Sequence, residues 1–215
     1  MSLPSPVVYI VDDDPSVCRS LLRLVRQTGF EGHSYGSAED FLASHTTAFT
    51  RPACLVVDLQ MPGLSGLELQ QQLAKGPAQC PMIFISGNGD IPSTVKAMKQ
   101  GAITFLTKPF DTQDLLKAIA EALKKHQASL VADHQLRHIL ERKAELTERE
   151  LEVMAWIITG ALNKQIAAEL NVVEKTIKVH RARVLEKMQV SSVAELVRLC
   201  ALIGFESARQ AEVPK

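Results

Sequence analysis

Short runs of consecutive apolar residues recur through the first 125 residues, and they limit the folds that this chain can adopt. A strand without polar alternation has to be buried on both faces, which is typical of a parallel sheet covered by helices on both sides. A fifth, more polar run at Phe30–Tyr35 predicts an edge strand. Helix-like stretches separate the runs, so we expect a doubly wound α/β domain with a five-stranded parallel sheet. The four apolar runs are Val7–Val11, Cys54–Val57, Met82–Ile85 and Ile103–Leu106.

The rest of the chain lacks this strand pattern. Residues 114–143 contain neither Gly nor Pro, which predicts either one long helix or two helices that meet near residues 127–129. Thr147 and Glu150 then form a capping-box pattern at the start of a further helical stretch. We therefore expect three parts: an α/β domain at residues 1–125, a helical linker at 126–142 and an all-α four-helix domain at 143–208.

The composition excludes several classes of protein. No apolar run approaches the roughly 18–20 residues that cross a membrane, and no basic residue precedes the first apolar run as in a signal peptide. The four cysteines lie far apart in apolar stretches, as buried thiols in a reducing compartment do. Lys plus Arg and Asp plus Glu each total 24, which argues against indiscriminate binding to nucleic acids or membranes but not against sequence-specific DNA binding. We expect a soluble, cytoplasmic protein.

Polar side chains stand where the apolar runs end. Asp12 and Asp13 follow the first run, Asp58 follows the third in chain order, Ser86 the fourth, and Lys108 comes just after the fifth. The carboxyl ends of parallel strands face one crevice, which is where ligands bind in open α/β sheets. Polar strand ends are common one at a time, but their coincidence on separate runs favours a functional site.

The charges of these side chains indicate the chemistry. Clustered carboxylates require a compensating cation, and carboxylate oxygens suit Mg²⁺. Asp58 is the candidate nucleophile, since carboxylates form aspartyl-phosphate intermediates. Asp12 and Asp13 would hold the metal directly or through water. Lys108 would neutralise a phosphoryl oxygen, and Ser86 would donate a hydrogen bond to another.

Four segments, V-D-D-D-P-S, V-V-D-L-Q-M-P-G-L-S-G, I-S-G and K-P-F, resemble in order and spacing a response-regulator receiver domain over about residues 5–125. The resemblance implies a CheY-like fold in which Asp58 accepts a phosphoryl group from a sensor histidine kinase. It also implies that Ser86 and Phe105 change position on phosphorylation, and that the Lys108–Pro109 peptide bond is cis. The implied Mg²⁺ ligands are Asp12, Asp13, Asp58 and the backbone carbonyl of Gln60.

Residues 163–188 predict two helices joined by a short turn. On the second helix, Ile177, Val184 and Met188 share an apolar face, and between residues 175 and 187 five Lys or Arg accompany one Glu. A basic helical face is often only solvated, but the preceding helix and turn favour a DNA-binding helix-turn-helix. Small apolar residues among the charges also suit contact with base edges. The candidate DNA-binding residues are Lys175, Thr176, Lys178, Val179, His180, Arg181, Ala182 and Arg183.

The segments L-T-E-R-E-L-E-V-M, N-K-Q-I-A-A-E-L and V-E-K-T-I-K-V-H-R-A-R-V-L-E-K-M resemble the LuxR-type DNA-binding domain of NarL/FixJ regulators over about residues 143–204. With the long linker, the resemblance is to the FixJ-like branch. It implies a four-helix unit that binds double-stranded DNA at two half-sites as a dimer. Candidates for the dimer contact are Val193, Leu196, Val197 and Cys200, for which packing within the domain is the alternative.

Together these features predict a two-component response regulator. Phosphorylation of Asp58 is expected to promote homodimerisation, DNA binding and contact with RNA polymerase, with no catalysis beyond phosphoryl acceptance and slow self-dephosphorylation. An alternative is a DNA-binding regulator whose receiver serves as a phosphorylation-independent interaction module. A phosphatase with an aspartate nucleophile is disfavoured, because that class carries D-x-D at its first strand and needs a lid insertion.

Overall fold

The chain divides into two compact units, and the division falls between Val131 and Ala132. The computed structural model describes residues 5–76, 79–87 and 91–208. Within these residues, no helix is both long enough and apolar enough to cross a lipid bilayer.

A parallel sheet forms the centre of the first unit. Its strands are β1 (Val7–Val11), β2 (Glu31–Tyr35), β3 (Ala53–Asp58), β4 (Met82–Ser86) and β5 (Thr104–Thr107). They lie in the order β2-β1-β3-β4-β5. Every residue of β1, β3 and β4 is buried, as their uninterrupted apolar sequences require. The more polar β2 lies at an edge, so both the predicted fold class and the predicted edge strand are confirmed.

Helices cover both faces of this sheet. They are α1 (Pro15–Gln27), α2 (Ala38–Ser44), α3 (Gly66–Lys75), α4 (Ile91–Lys99) and α5 (Thr112–Ala144). Alternate residues of a strand point to opposite faces, so Tyr9 packs in a core with α2, α3 and α4. Its neighbour Ile10 packs in a second core with α1 and the first part of α5. The domain is therefore doubly wound.

The strand order places the carboxyl ends of β1 and β3 next to each other. The strand β1 pairs with β2 on one side and with β3 on the other, so the chain reverses its direction of progress across the sheet between β2 and β3. Ligands of open α/β sheets bind outside the carboxyl ends of the strands at such a reversal. Asp12 follows β1 and Asp58 ends β3, so both carboxylates lie at this point.

A close approach between α3 and β3 requires glycine at residue 66. Ser65 caps α3, and the Gly66 N–H donates to the backbone carbonyl of Leu59 at 3.1 Å. A Cβ at residue 66 would overlap the backbone carbonyl oxygen of Asp58 and would lie 3.1 Å from Phe84 Cε1. The missing side chain lets the start of α3 pack against the end of β3, beside the strand-end carboxylates.

The second unit is helical throughout its regular structure. It contains the end of α5 together with α6 (Glu148–Ile157), α7 (Asn163–Glu169), α8 (Glu174–Lys187) and α9 (Val193–Leu202). One buried cluster joins these helices, with Ile139 of α5 among its members. The helix α5 runs without interruption, so the single long helix is the alternative observed. The predicted all-α domain is confirmed.

An ion pair between a buried carboxylate and a half-buried lysine fixes α6 against α8. Glu150 is only 2% exposed, and its Oε2 accepts a hydrogen bond from Lys187 Nζ at 2.7 Å. Glu150 also closes the capping box with Thr147, which the sequence predicts. The hydrogen bonds from Lys187 and from the backbone N–H of Thr147 lower the pKa of Glu150 from 4.5 to about 2. Lys187 therefore neutralises a buried carboxylate inside the unit.

We expect Gly66→Ala to destabilise the first unit by roughly 1–3 kcal/mol, because the added methyl group meets a backbone carbonyl that no rotamer change can move. Urea unfolding followed by far-UV circular dichroism measures the change. Gly36→Ala is the matched control, since a Cβ there meets nothing within 4 Å. Equal stabilities for the two variants would contradict the close approach of α3 to β3.

Glu150→Gln should destabilise the second unit by roughly 1.5–3 kcal/mol at neutral pH, because the charged hydrogen bond from Lys187 is lost. The pKa of Glu150 is lower in the folded chain than in the unfolded chain. The stabilisation is therefore complete above about pH 4.5 and disappears as the pH falls through about 2. The free-energy difference between the two proteins should shrink as the solution is acidified.

The fluorescence of Trp156 measures this difference during urea unfolding. Trp156 is the single tryptophan of the chain and packs against the core of the second unit. Glu148→Gln serves as the control, because Glu148 lies exposed in the same first turn of α6. A free-energy difference that does not change with pH would contradict the role given to Glu150.

Candidate functional sites

Two carboxylates and one ammonium group meet at the carboxyl edge of the sheet. Lys108 Nζ lies 2.7 Å from Asp12 Oδ2 and 2.7 Å from Asp58 Oδ1. The backbone N–H of Lys108 donates to the carbonyl of Ser86 at 2.7 Å, which anchors the residue to the end of β4. The Lys108–Pro109 peptide bond is cis, as the resemblance to receiver domains implies. The sheet thus brings together three residues that the sequence separates widely.

At this edge, burial and hydrogen bonding shift the pKa of Asp12, and likewise that of Lys108, in opposite directions. Burial raises the pKa of Asp12 above its usual range, although hydrogen bonds from Lys108 and from the backbone N–H of Asp14 oppose the shift. Burial alone would lower the pKa of Lys108, but its hydrogen bonds to Asp12 and Asp58 outweigh that effect and raise it. Lys108 therefore remains an ammonium ion. Among the described residues, Lys108 is the one cation paired with these two buried carboxylates, so this part of the edge carries more negative than positive charge.

Accessibility distinguishes the two carboxylates. The side chain of Asp12 is 1% exposed, whereas that of Asp58 is 9% exposed. Both oxygens of Asp58 are held, since Oδ1 accepts from Lys108 and Oδ2 accepts from the backbone N–H of Gln60 at 2.7 Å. Asp58 is therefore the oriented carboxylate that an incoming reagent can reach.

The structure brings only some of the predicted metal ligands together. Asp12 and Asp58 share Lys108, while the Asp13 side chain is exposed. In the described ranges, no group of three His, Cys, Asp or Glu side chains converges closely enough to hold a metal ion. Mg²⁺ commonly binds through one or two carboxylates and keeps several waters. Two buried carboxylates with insufficient positive charge fit such an ion, with Asp13 and the carbonyl of Gln60 as the remaining predicted ligands.

Ser86 and Phe105 lie on the two strands beyond Asp58. Ser86 ends β4 and is 1% exposed, and its neighbour Ile85 pairs with Asp58 in the sheet. Phe105 pairs with Phe84 and is half-buried against the core on the α2, α3 and α4 side. Ser86 and Phe105 therefore lie on adjacent, paired strands.

The helix α8 separates an apolar face from a basic face, as its sequence predicts. Ile177 and Val184 are buried in the core of the second unit. The exposed candidates are Lys175, Lys178, Val179, Ala182 and Arg183, and the half-buried ones are Thr176, His180 and Arg181. The turn before α8 contains Asn171 with a positive φ of 51°, a conformation that Asn tolerates better than most residues.

Contacts within the unit distinguish the basic residues of α8 from one another. Arg181 Nη1 lies 3.4 Å from Asn163 Oδ1, which links α8 to α7. Lys187 donates a hydrogen bond to Glu150, and the capping-box pattern in the sequence does not predict this contact. Within the described part of the chain, the ion pair of Lys178 is an exposed one with Glu174 at 3.5 Å, and such pairs contribute little stability. Lys178 is therefore available to a ligand, whereas Lys187 is not.

The predicted dimer residues on α9 differ in exposure. Leu196 is fully buried and Cys200 is 2% exposed, both within the core of the unit. This is the packing alternative that the sequence leaves open. Val193 is half-buried and Val197 is 39% exposed. Leu202, which the sequence does not single out, is 67% exposed at the end of the helix. The exposed apolar surface of α9 therefore includes Val197 and Leu202.

Both units match known protein families. Residues 8–120 match the response regulator receiver domain. Residues 144–200 match the bacterial regulatory proteins of the luxR family. The two matched segments correspond to the sheet with the candidate carboxylates and to the helices around α8.

Individual proteins resemble the chain along nearly its whole length. Nodulation protein W of Bradyrhizobium diazoefficiens is 42% identical over 201 residues, which covers 94% of this chain and 88% of that protein. The transcriptional regulatory protein FixJ of Rhizobium meliloti is 39% identical over 199 residues, which covers 92% and 96%. The response regulator StyR, solved at low resolution, gives a TM-score of 0.83 at 43% identity and covers 92% of this chain and 99% of StyR. The chain therefore belongs to the two-component response regulators that join a receiver domain to a LuxR-type DNA-binding domain.

Proposed function

We propose that this chain is a cytoplasmic transcription regulator that a sensor histidine kinase activates by phosphorylating Asp58. The proposal rests on the contact of Lys108 with both Asp12 and Asp58, at 2.7 Å each. It gathers a reachable carboxylate, a second carboxylate and a cation at the reversal point of the sheet. Residues 1–125 would form the phosphoacceptor domain, 126–142 the linker and 143–208 the DNA-binding domain.

In the phosphoryl transfer, a carboxylate oxygen of Asp58 attacks the phosphorus of the kinase phosphohistidine. An O–P bond forms as the P–N bond breaks, and the imidazole leaves with the bonding electrons and takes up a proton. The ammonium of Lys108 already lies beside Asp58, so it can neutralise one oxygen of the arriving group. Its raised pKa keeps it charged.

Magnesium would supply the charge neutralisation that one lysine does not provide, since Mg²⁺ neutralises the charge on phosphoryl oxygens. Asp12 and Asp58 would hold it, together with Asp13 and the backbone carbonyl of Gln60. The hydrogen bond from the Gln60 N–H to Asp58 Oδ2 holds the carboxylate in a fixed orientation, which lowers the cost of ordering it for the reaction.

The conformational change on phosphorylation would pass from Ser86 to Phe105 and then to the surface of α4. Ser86 would donate a hydrogen bond to the phosphoryl group, and Phe105 would move inward on the neighbouring strand. The helix α4 exposes an apolar stripe of Ile91, Val95 and Met98, which are 79%, 44% and 43% exposed. Exposed apolar patches of this kind favour association. Phosphorylation would therefore promote homodimerisation of the receivers.

Two DNA-binding units in such a dimer would bind two half-sites with α8 in the major groove. Lys175, Thr176, Arg181 and Arg183 would contact phosphates, and Lys178 would contact a phosphate or a guanine. Val179 and Ala182 would lie against base edges, with His180 at the border of this surface. A second contact through α9, at half-buried Val193 and exposed Val197, would support the dimer, whereas buried Leu196 would pack within its own unit. The dimer would also bind RNA polymerase. The exposure of Lys178, Val179 and Ala182 supports this arrangement.

Asp58→Asn should abolish phosphorylation by acetyl phosphate and the dimerisation that depends on it, because an amide oxygen is too weak a nucleophile. Intact-protein mass spectrometry detects the added phosphoryl group, and sedimentation velocity detects the dimer. Asp114→Asn, at an exposed residue of α5, is the matched control and should behave as the unmodified chain. If Asp58→Asn is still phosphorylated and dimerises, another residue is the acceptor. DNA binding that does not respond to phosphorylation would favour the alternative of an interaction module.

Lys178→Ala and Arg183→Ala should weaken DNA binding in different ways. Lys178→Ala is expected to weaken binding to an operator sequence selected in vitro by about 1–3 kcal/mol. It should weaken binding to random DNA less. Arg183→Ala should weaken binding to every sequence and reduce the salt dependence by about one charge. Fluorescence anisotropy across a range of salt concentrations measures both, with Lys117→Ala on α5 as the charge-matched control. Equal losses on operator and random DNA would make Lys178 a phosphate contact.

A further inference from the structure

Two histidines lie one helical turn apart on the exposed side of α5. His134 and His138 face each other, with their Nε2 atoms 3.2 Å apart and their ring centroids 4.3 Å apart. Both side chains are exposed. Neither residue belongs to the carboxylate edge of the sheet or to the basic face of α8. Histidines four residues apart on a helix are an arrangement that binds zinc in other proteins.

The distance between the two nitrogens suits a shared metal ion. Imidazole nitrogens bind Zn²⁺ at about 2.0–2.1 Å. Two such bonds to nitrogens 3.2 Å apart make an angle of about 100° at the metal. This angle lies between the angles of octahedral and tetrahedral coordination. An ion could therefore replace the hydrogen bond that joins the two Nε2 atoms without a change in the helix, once the Nε2 proton of that bond has been released or has moved to Nδ1.

Glu141 holds one of the rings in the required orientation. Its Oε2 lies 3.2 Å from Nδ1 of His138. When the proton is on Nδ1, that nitrogen donates to the carboxylate and Nε2 keeps its lone pair for a metal. Histidines that bind metals typically donate their other ring N–H to a carboxylate in this way. The carboxylate thus favours the tautomer that can chelate.

We propose that His134 and His138 chelate a divalent transition-metal ion such as Ni²⁺, Cu²⁺ or Zn²⁺, with Glu141 as the positioning residue for His138. Among the described residues, no third His, Cys, Asp or Glu side chain completes a cluster, so water fills the remaining positions. Imidazole suits these ions, whereas Mg²⁺ prefers oxygen ligands. The site is therefore distinct in chemistry from the carboxylate edge of the receiver.

The bound ion would stabilise an otherwise unsupported part of α5. Residues 127–138 are exposed apart from half-buried Leu130. Helical segments without tertiary packing are only marginally stable in water. An ion that links His134 to His138 ties together two successive turns and favours the helical state, since a ligand stabilises the state that binds it.

Isothermal titration of the full-length, untagged, metal-free chain with Ni²⁺ or Zn²⁺ tests the site. Excess Mg²⁺ is included to occupy the carboxylate edge of the receiver. We expect one ion per chain. His134→Gln and His138→Gln should each weaken binding at least tenfold, and Glu141→Gln should weaken it by roughly tenfold, at the lower end of the effect of losing such a partner.

A register-shifted variant provides the matched control. Gln135→His together with His138→Gln keeps the total of six histidines but places two of them on adjacent residues, about 100° apart around the helix. This variant should bind as weakly as His138→Gln alone. If it binds as tightly as the unmodified chain, or if neither single histidine variant loses affinity, the ion lies elsewhere and the proposal is wrong. Absence of binding to the unmodified chain would overturn it as well.

Hydrogen exchange tests the effect on the helix. The amides of residues 134–142 should exchange at least severalfold more slowly when Zn²⁺ is bound, and this protection should be absent in His138→Gln. Unchanged exchange in the metal-bound chain would contradict the stabilisation of α5. Electron paramagnetic resonance of bound Cu²⁺ should show two imidazole nitrogens, and a spectrum with oxygen ligands only would overturn the ligand assignment.

Discussion

Burial of the central strands on both faces is the constraint on which the first unit depends. Because β1, β3 and β4 have no exposed residue, their charged side chains occur only where these strands end. The strand order then places the ends of β1 and β3 side by side, so Asp12 and Asp58 face the same ammonium group. Gly66 lets α3 approach this edge. The position of the site is therefore a consequence of how the sheet is packed.

The charge at this edge explains why it suits a switch. Two buried carboxylates and one lysine leave an excess of negative charge, while burial is the main cause of the raised pKa of Asp12. A divalent ion would neutralise this excess. Lys108 and the ion would then both be available to neutralise a phosphoryl group on Asp58. Ser86 and Phe105 lie on the adjoining strands, so the proposed signal has a short route to the exposed apolar stripe of α4.

The second unit uses its basic residues for two purposes. Lys187 neutralises buried Glu150 and so fixes α6 to α8, while Lys175, Lys178 and Arg183 remain exposed. A count of charges along α8 cannot distinguish these roles, because both kinds of residue lie on one amphipathic helix. The pair of Lys187 with buried Glu150 holds the helix in place, and the exposed residues form the surface proposed for DNA.

The five strands, the edge position of β2, the helical second unit and the two faces of α8 could be predicted from the residue pattern, because burial periodicity is a local property of the chain. Tertiary packing was needed to show which aspartate shares Lys108 with Asp58, that the Asp13 side chain is exposed, and that Leu196 lies inside its own core. The contact between Lys187 and Glu150 also depends on tertiary packing. These contacts join residues far apart in the chain, such as Asp12 and Lys108 at a separation of 96 residues and Glu150 and Lys187 at 37. No local pattern encodes such pairs, since they exist only when the whole domain packs around them.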